Sequence, residues 1–397
     1  MKKFVILLLA ACLLLGGAIV FITAKNAPKN EGEPVVLTDP ENLAEAETEA
    51  PAVRTLDYAA LRALHAPDEI AGTVDGREVT WEEYFYWLRE VGSEAEDYIQ
   101  MLALYGQSLD WNDKLSADSE STLAEYVVEL AQGSAVQLSA VEALAEECGA
   151  TLSAENEQEL AEQLQQAIAS SGAANEDEFN AMLEEQFVSR AMYDRLNRAN
   201  YLYQNSFTAL YGEDGEKIPA EEALDYLREN SYLCASHILF ATMDLTSYEK
   251  LDDATIEQKK QQAEAVAEEL RSIEDAVDRA ARFAELKEEL CEDSGKASFP
   301  DGYVFKPGEM VAEFENGVKE LEDYEVSEPI LSDYGYHVIM RLPLSADMTM
   351  NYSSAGTAMN ARAVLANEKF NALLEERFAA LFKPNAGFEI DLTQFLK

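Results

Sequence analysis

CASHILF (Cys234–Phe240) and SDYGYHVIM (Ser332–Met340) are the two segments that decide how this chain folds. Each holds one of the three histidines of the chain, and the two, His237 and His337, lie 100 residues apart. Alternating or β-branched apolar residues flank both, which predicts two half-buried strands. A lone histidine in a strand is usually structural, but two matched ones on either side of helical segments favour a functional pair.

The residues between these two segments predict a small α+β module. Helical periodicity covers Ile256–Arg271, Ala281–Leu290 and Met310–Leu321, and Tyr303–Phe305 suggests one more strand. The order strand–helix–helix–helix–strand is typical of a small antiparallel sheet with helices around it. The two histidine segments then become strands of one sheet.

Size and charge limit the classes of function. A chain of 397 residues is too long for one small core, so two or three domains are expected. Its 76 acidic and 30 basic residues give a net charge of −46, which repels phosphate backbones and anionic lipid surfaces. Nucleic acid is therefore excluded as a partner.

The cysteines do not form a recognisable framework. Cys12 lies in the leading apolar run, and Cys148, Cys234 and Cys291 are scattered without a CxxC motif. We therefore expect neither a disulfide scaffold nor a metal cluster. A Cys234–Cys291 disulfide requires that the fold brings the two residues together.

The N-terminus predicts export. Two lysines precede the 21 uncharged residues Phe4–Ala24, which are long enough to cross a bilayer and keep the N-terminus in the cytoplasm. We interpret residues 1–25 as a signal-anchor; a cleaved signal peptide and a lipoprotein signal lipidated at Cys12 remain open. Each of them places the rest of the chain on the extracytoplasmic face of the membrane, anchored, secreted or lipid-anchored. Residues 26–53 are a proline-rich, disordered linker.

Residues 54–230 and 346–397 predict an all-α domain interrupted by the module at residues 231–345. Thr80 is the expected N-cap of a first helix whose apolar stripe from Trp81 to Leu88 is core, or else a surface for unfolded clients. The other predicted helices are Ser119–Cys148, Ser153–Ser170, Glu176–Leu210, Ala220–Asn230 and Tyr352–Leu381. Val74–Val79 is predicted to be a turn.

Residues 231–342 resemble a parvulin-type peptidyl-prolyl cis-trans isomerase domain. The resemblance is carried by Ala235–Phe240, Phe283–Leu286, Glu292–Gly295, Pro307–Met310 with Phe314, Val326–Pro329 and Tyr334–Ile339. The helical part is similar to the chaperone domain of PrsA-type extracellular foldases and SurA-type chaperones, because Val74–Thr80 resembles the VNGxxIT start of that domain. The fold implied is a parvulin module inserted in a helical chaperone domain.

The resemblance also implies a set of site residues. His237 and His337 match the paired histidines, Asp293 matches the family's Cys or Asp, and Ser332 falls where a hydroxyl joins the histidines. Met310 and Phe314 match the residues that hold the prolyl ring, as an i,i+4 pair on one helical face. The alternatives are a loop-capping role for Asp293 and plain core roles for Met310 and Phe314.

The sequence departs from the family at one loop. The usual Gly-Gly-Asp-Leu-Gly is here Phe299–Tyr303, so Gly302 replaces an apolar residue of the pocket unless Tyr303 or Val304 takes its place. After Phe240 the chain is acidic, which disfavours recognition of phosphorylated Ser/Thr-Pro sites.

The implied reaction is rotation about X-Pro bonds, which breaks no bond and needs no cofactor. The expected function is an exported foldase that isomerises X-Pro bonds in secreted, proline-containing polypeptides and holds unfolded clients. The N-terminal segment would attach it to the membrane, and a homodimer stays open. The alternative is a holdase chaperone whose parvulin module is catalytically weak or inactive.

Overall fold

The structure is a computed structural model that describes residues 53–116, 119–352, 356 and 358–397. The chain divides into unit 1, Met1–Ala209 with Ala372–Lys397, and unit 2, Leu210–Asn371. The predicted membrane segment and almost all of the predicted linker lie outside the described residues. Among the residues that are described, no helix combines the length and apolar character needed to span a bilayer.

The described elements are helices of 5 to 26 residues and strands of 2 to 9 residues. Before residue 231 they are α1 Tyr58–Arg62, β1 Ile70–Val74, β2 Arg77–Thr80, α2 Trp81–Leu104, α3 Leu123–Cys148, α4 Ala154–Ser171, α5 Glu176–Glu185, α6 Arg190–Tyr211 and α7 Ala220–Glu229. After it they are β3 Leu233–Ala241, α8 Asp253–Arg271, α9 Ala276–Leu290, β4 Tyr303–Phe305, α10 Ala312–Lys319, β5 Ile330–Leu331, β6 Gly335–Arg341, β7 Thr349–Tyr352, β8 Ala358–Asn360, α11 Ala361–Phe378 and β9 Phe382–Pro384. Short 3-10 turns lie at Ser294–Ala297 and Leu392–Phe395. The mixed α+β class is confirmed.

The helices of unit 1 begin and end where their capping residues predict. The Thr80 hydroxyl accepts a hydrogen bond from the Glu83 amide at 3.4 Å, which confirms Thr80 as the N-cap of α2. Gly149 ends α3 in the left-handed conformation (φ 71°), which a glycine adopts without steric cost. The stripe from Trp81 to Leu88 is core, because its apolar members are at most 7% exposed.

The sequence predicted an all-α domain here, which is wrong. Unit 1 contains a three-stranded antiparallel sheet in the order β2-β1-β9. The segment predicted as a turn is a hairpin in which Val74 pairs with Arg77 across Asp75 and Gly76, both with positive φ. β9 pairs with β1 through Gly72 and Pro384, more than 300 residues apart in sequence. Local periodicity carries no information about such a pairing.

Several predicted helices are too long, and two of them differ most from the structure. Glu176–Leu210 is broken between α5 and α6 at Phe187, whose φ of 60° is incompatible with a continuous helix. The Phe187 ring makes an edge contact with Phe85, so burial in the core offsets this backbone strain. The predicted helix from Tyr352 begins only at Ala361, because the residues before it pair as the β7–β8 hairpin.

Unit 2 contains a four-stranded antiparallel sheet in the order β4-β3-β6-β5. The histidine segments form its two central strands, β3 and β6, and Tyr303–Phe305 forms β4 as predicted. Residues of α8 and α9 share one apolar core with Ile238 and Val338. Phe314 of α10 belongs to a second apolar core with Ala235 and Ile339. Because neighbouring residues of a strand point to opposite faces, the helices lie on both sides of the sheet.

Candidate active site

The register of the central strands brings the two histidines together. His237 lies opposite Ile339 and Leu239 lies opposite His337, so the imidazoles are diagonal neighbours on one face of the sheet. Their Nδ1 atoms are 3.3 Å apart, and the residues are 8% and 4% exposed. Two histidines that are 100 residues apart in sequence therefore lie within hydrogen-bond distance of each other in unit 2.

Asp293 forms one end of this arrangement. Its Oδ2 atom lies 2.9 Å from Nε2 of His237 and accepts a hydrogen bond from the Tyr303 hydroxyl at 2.5 Å. Its Oδ1 atom accepts the Gly295 amide at 2.9 Å and caps the 3-10 turn that follows. The loop-capping role and the contact with the histidine are therefore both present.

Ser332 forms the other end. Its Oγ atom lies 2.7 Å from Nε2 of His337 and accepts the Tyr334 amide at 3.2 Å. One set of tautomers satisfies every link: Ser332 donates to His337, His337 Nδ1–H donates to His237, and His237 Nε2–H donates to Asp293. We call these four residues the polar network.

The pKa values along the polar network diverge. Burial alone would raise the pKa of Asp293, but the hydrogen bonds from His237 and Tyr303 outweigh it and hold that pKa well below its usual range. Burial opposes a charge on His237, yet the bond to Asp293 raises its pKa overall. Burial and the nearby charge of His237 lower the pKa of His337 to about 3. The charge of the network is therefore concentrated at the Asp293–His237 end.

An apolar seat adjoins the polar network. The Phe314 ring is 2% exposed and lies edge-on to both imidazoles, with centroids 5.2 Å from His237 and 5.6 Å from His337. Met310 and Tyr303 are partly buried and pack against the same apolar core. We call Met310, Tyr303 and Phe314 the apolar seat.

Met310 reaches the apolar seat from a turn, not from a helix. α10 begins at Ala312, so the prediction of an i,i+4 pair on one helical face is wrong. Gly308 has a φ of 90° and donates its amide to the Glu315 carboxylate at 2.6 Å, which holds the turn before the helix. This turn places Met310 beside Phe314.

The unusual loop has a structural explanation. Gly302 has a φ of 106°, and a Cβ atom there would lie 2.8 Å from the Ala235 carbonyl oxygen, so only glycine fits. Tyr303 points to the side of the apolar seat, and the alternation of the strand turns Val304 away from it. Of the two candidates for the missing apolar residue, Tyr303 is therefore the one that lies beside Phe314.

One contact and one residue of the site were not predicted from the sequence. The Tyr303 hydroxyl was not assigned to Asp293, although a tyrosine next to a catalytic-type loop was a signal. Lys287 is 7% exposed, donates to the carbonyls of Phe299 and Pro300 at 3.4 and 2.9 Å, and has its pKa lowered by burial. In the sequence, the only sign that Lys287 is buried near the site was its position next to the apolar face of α9.

In the described part of the chain, the cysteines and acidic residues form no metal centre. Cys148, Cys234 and Cys291 are free thiols, so Cys234 and Cys291 are not joined. Within the ranges that the structure describes, no group of three or more His, Cys, Asp or Glu side chains is arranged to hold a metal ion. What the arrangement offers chemically is a fixed negative charge and a rigid hydrogen-bonded network beside an apolar seat.

Comparison with known proteins finds a domain match around this site. Residues 237–342 match the family model of the PPIC-type PPIASE domain, Rotamase. The foldase protein PrsA of Oceanobacillus iheyensis is 26% identical over 281 residues, which are 70% of each chain. The chaperone SurA of Chromohalobacter salexigens is 43% identical over 82 residues, 20% of this chain and 18% of that one. The crystal structure of PrsA from Bacillus subtilis is 18% identical and covers 79% of this chain and 91% of that one, with a TM-score of 0.26.

The matches confirm two predictions made from the sequence. The chain carries a parvulin-type peptidyl-prolyl isomerase domain at residues 237–342, and it is similar to PrsA foldases and SurA chaperones. The match covers all four residues of the polar network as well as the apolar seat.

Proposed function

We propose that this chain, which carries a parvulin-type peptidyl-prolyl isomerase domain, is an exported foldase that catalyses cis-trans isomerisation of X-Pro bonds in unfolded polypeptides. One observation carries the proposal: the polar network Asp293–His237–His337–Ser332 crosses the central strands directly beside the apolar seat. The roles of these residues are proposed from this geometry.

The reaction to be accelerated is rotation about an amide. The barrier is roughly 18–20 kcal/mol because twisting removes the resonance that places negative charge on the carbonyl oxygen and double-bond character on C–N. Uncatalysed exchange takes on the order of 10–100 s, slow enough to limit folding of a client. A catalyst therefore has to grip the prolyl ring and favour the less conjugated, twisted amide over the planar one.

The site residues fit these two tasks. The apolar seat would take the prolyl ring, with Phe314 as its floor and Met310 and Tyr303 as its walls. The ionised Asp293 carboxylate would lie near the carbonyl before the proline, where a fixed negative charge disfavours the planar form that carries negative charge on oxygen. His237, His337 and Ser332 would keep Asp293 in place and the hydrogen bonds in one pattern.

The test is an NMR exchange assay on an Ala-Pro peptide with the full chain. Asp293→Ala and Met310→Ala should each lower kcat/KM by roughly tenfold or more, because one removes the charge and the other a wall of the seat. Asp253→Ala is the matched control, since the Asp253 side chain is fully exposed in the same unit. No acceleration at micromolar wild-type protein, or unchanged activity in both variants, would refute the isomerase proposal.

The holding of unfolded clients is a second proposed function, and it rests on unit 1. Tyr98, Met101 and Leu104 lie on one side of the last turns of α2, Tyr105 is its C-cap, and the four are 42, 36, 86 and 78% exposed. Such an apolar patch on an acidic protein suits extended polypeptide segments rather than nucleic acid or anionic lipid. A holdase with a weak parvulin module would use this patch alone.

Client aggregation assays separate holding from isomerisation. The Asp293→Ala chain should still suppress aggregation, whereas Leu104→Ser with Tyr105→Ser should reduce suppression. Leu381→Ser is the control, because Leu381 is 71% exposed in the same unit but lies outside the patch. Equal suppression by the patch variant and the control would rule out the patch as the holding surface.

The wider organisation is part of the same proposal. Residues 1–25 would anchor the chain, residues 26–53 would act as a spacer, and residues 54–230 with 346–397 would form the chaperone domain around residues 231–345. The acidic residues Asp244, Glu249 and Asp252 after β3 argue for unphosphorylated X-Pro sites. Intact mass and membrane fractionation of the mature protein test the anchor, and sedimentation tests a homodimer.

A further inference from the structure

Tyr303 makes an unusual contact for a residue of the apolar seat. Its hydroxyl donates to Oδ2 of Asp293 at 2.5 Å, and the same oxygen lies 2.9 Å from Nε2 of His237. The other carboxylate oxygen accepts the Gly295 amide. Three donors from three separate segments thus satisfy one carboxylate, and two of them share one oxygen.

The position of Tyr303 is fixed by its surroundings. Its ring lies 4.9 Å from the Phe299 ring and 5.7 Å from the His237 ring, between centroids. The loop that carries Phe299 is fastened by the buried ammonium of Lys287, which donates to two of its carbonyls. A rigidly held hydroxyl can aim at one oxygen without a further loss of side-chain entropy.

We infer that Tyr303 is a positioning residue that acts through Asp293: its hydroxyl orients the carboxylate and sets how much of its negative charge remains for His237 and the substrate. The inference rests on the proposed isomerase function and deepens it. A hydrogen bond from a phenol withdraws charge from the oxygen that also faces the imidazole. Without it, Asp293 would rotate more freely and bind the His237 proton more tightly.

Other ionisable groups surround this contact and need to be kept constant. His337 faces His237 from β6, the Cys291 thiol lies 3.6 Å from the His237 carbonyl oxygen, and the Lys287 ammonium adjoins the loop. Burial and the hydrogen bond to Asp293 raise the pKa of Tyr303, so its hydroxyl stays protonated at neutral pH. Removing only that hydroxyl isolates its effect.

The test is Tyr303→Phe in the full chain, which keeps the ring and removes the hydroxyl. We expect kcat to fall about tenfold while KM changes less than about twofold, because the seat is intact but the Asp293 carboxylate is no longer held in one orientation. The imidazole resonances of His237 should titrate at higher pH than in the wild type, because Asp293 then holds the proton more strongly.

The readout is simple because the chain has three histidines, and His65, which lies in unit 1, is an internal reference. Tyr248→Phe is the matched control, since Tyr248 is 69% exposed in unit 2. In a double-variant cycle, Tyr303→Phe with Asp293→Asn should be no worse than Asp293→Asn alone, because Tyr303 acts only through Asp293.

Two results would overturn the inference: a His237 titration in Tyr303→Phe equal to that of the control, or losses in the cycle that simply add. If Tyr303→Phe does not fold, 3-fluorotyrosine at position 303 gives a stronger donor and should move the His237 titration to lower pH; no movement also contradicts the inference. A wild-type protein without isomerase activity would refute the proposed function. The His237 titration would still test whether Tyr303 acts through Asp293.

Discussion

Phe314→Ala should separate the stability of the site from its chemistry. Phe314 is 2% exposed and packs against Phe305, Ile339 and both imidazoles, so its removal leaves a cavity in the centre of unit 2. Buried Phe→Ala changes cost about 3–5 kcal/mol. With a urea m-value of about 2 kcal/mol per molar, the unfolding midpoint of unit 2 should fall by about 2 M.

The assay follows histidine resonances through a urea titration of the full chain. His237 and His337 report on unit 2, and His65 reports on unit 1. Leu331→Ala is the control, because Leu331 is 53% exposed on β5 and should change stability by less than about 0.5 kcal/mol. Where Phe314→Ala folds, water in the cavity should raise the pKa of His337 from about 3 toward its ordinary value. A midpoint shift as small as that of the control would refute Phe314 as the buried floor of the site.

Three further predictions concern charge and burial. Burial and the neighbouring histidine lower the pKa of His337 to about 3 in the folded protein, whereas an unfolded histidine has a pKa of about 6.5. Because the unfolded state therefore binds a proton first as the pH falls from the higher to the lower value, the free energy of unfolding decreases in this window. His337→Gln should therefore flatten the dependence of the urea midpoint on pH in this window; a slope as steep as in the wild type would contradict it. Lys287→Met should speed amide exchange in the loop that it fastens by at least about tenfold, measured by hydrogen exchange, since two carbonyls lose their donor; unchanged exchange would argue against it. Arg195→Ala should destabilise unit 1 by about 3 kcal/mol because it leaves the 1%-exposed Glu83 unpaired, whereas Arg198→Ala, which breaks an exposed pair, should cost less than about 1 kcal/mol. Tryptophan fluorescence measures the stability of both variants, because the three tryptophans lie in unit 1. Equal losses of stability in Arg195→Ala and Arg198→Ala would refute the distinction between the buried and the exposed ion pair.

The central strands and most helices follow from the sequence because their causes are local. The apolar and β-branched residues around His237 and His337 specify β3 and β6, but the prediction that these strands are half-buried is wrong, because helices cover both faces of the sheet and nearly every residue of both strands is buried. Thr80 and Gly149 mark helix ends because the capping interaction spans only a few residues. The order of short motifs also led to the isomerase domain, which the match of residues 237–342 confirms. The domain boundaries and the roles of the site residues stay predictions.

Other features depended on contacts between residues that are distant in sequence. β9 completes the sheet of unit 1 by pairing with β1, and Phe187 interrupts a helix because its ring is needed in the core. In each case long-range burial or hydrogen bonding outweighs a local preference of about 1 kcal/mol or less per residue.

The same division holds at the site itself. The sequence identified the candidate site residues, since two histidines, an aspartate and a serine in matching segments are visible in the sequence itself. Their order along one hydrogen-bonded network, the addition of the Tyr303 hydroxyl to it, and the contact of the Lys287 ammonium with the adjoining loop came only from the tertiary structure. The physical reason is that strand register and loop closure set the distances between side chains, and neither is encoded within a single local stretch of sequence.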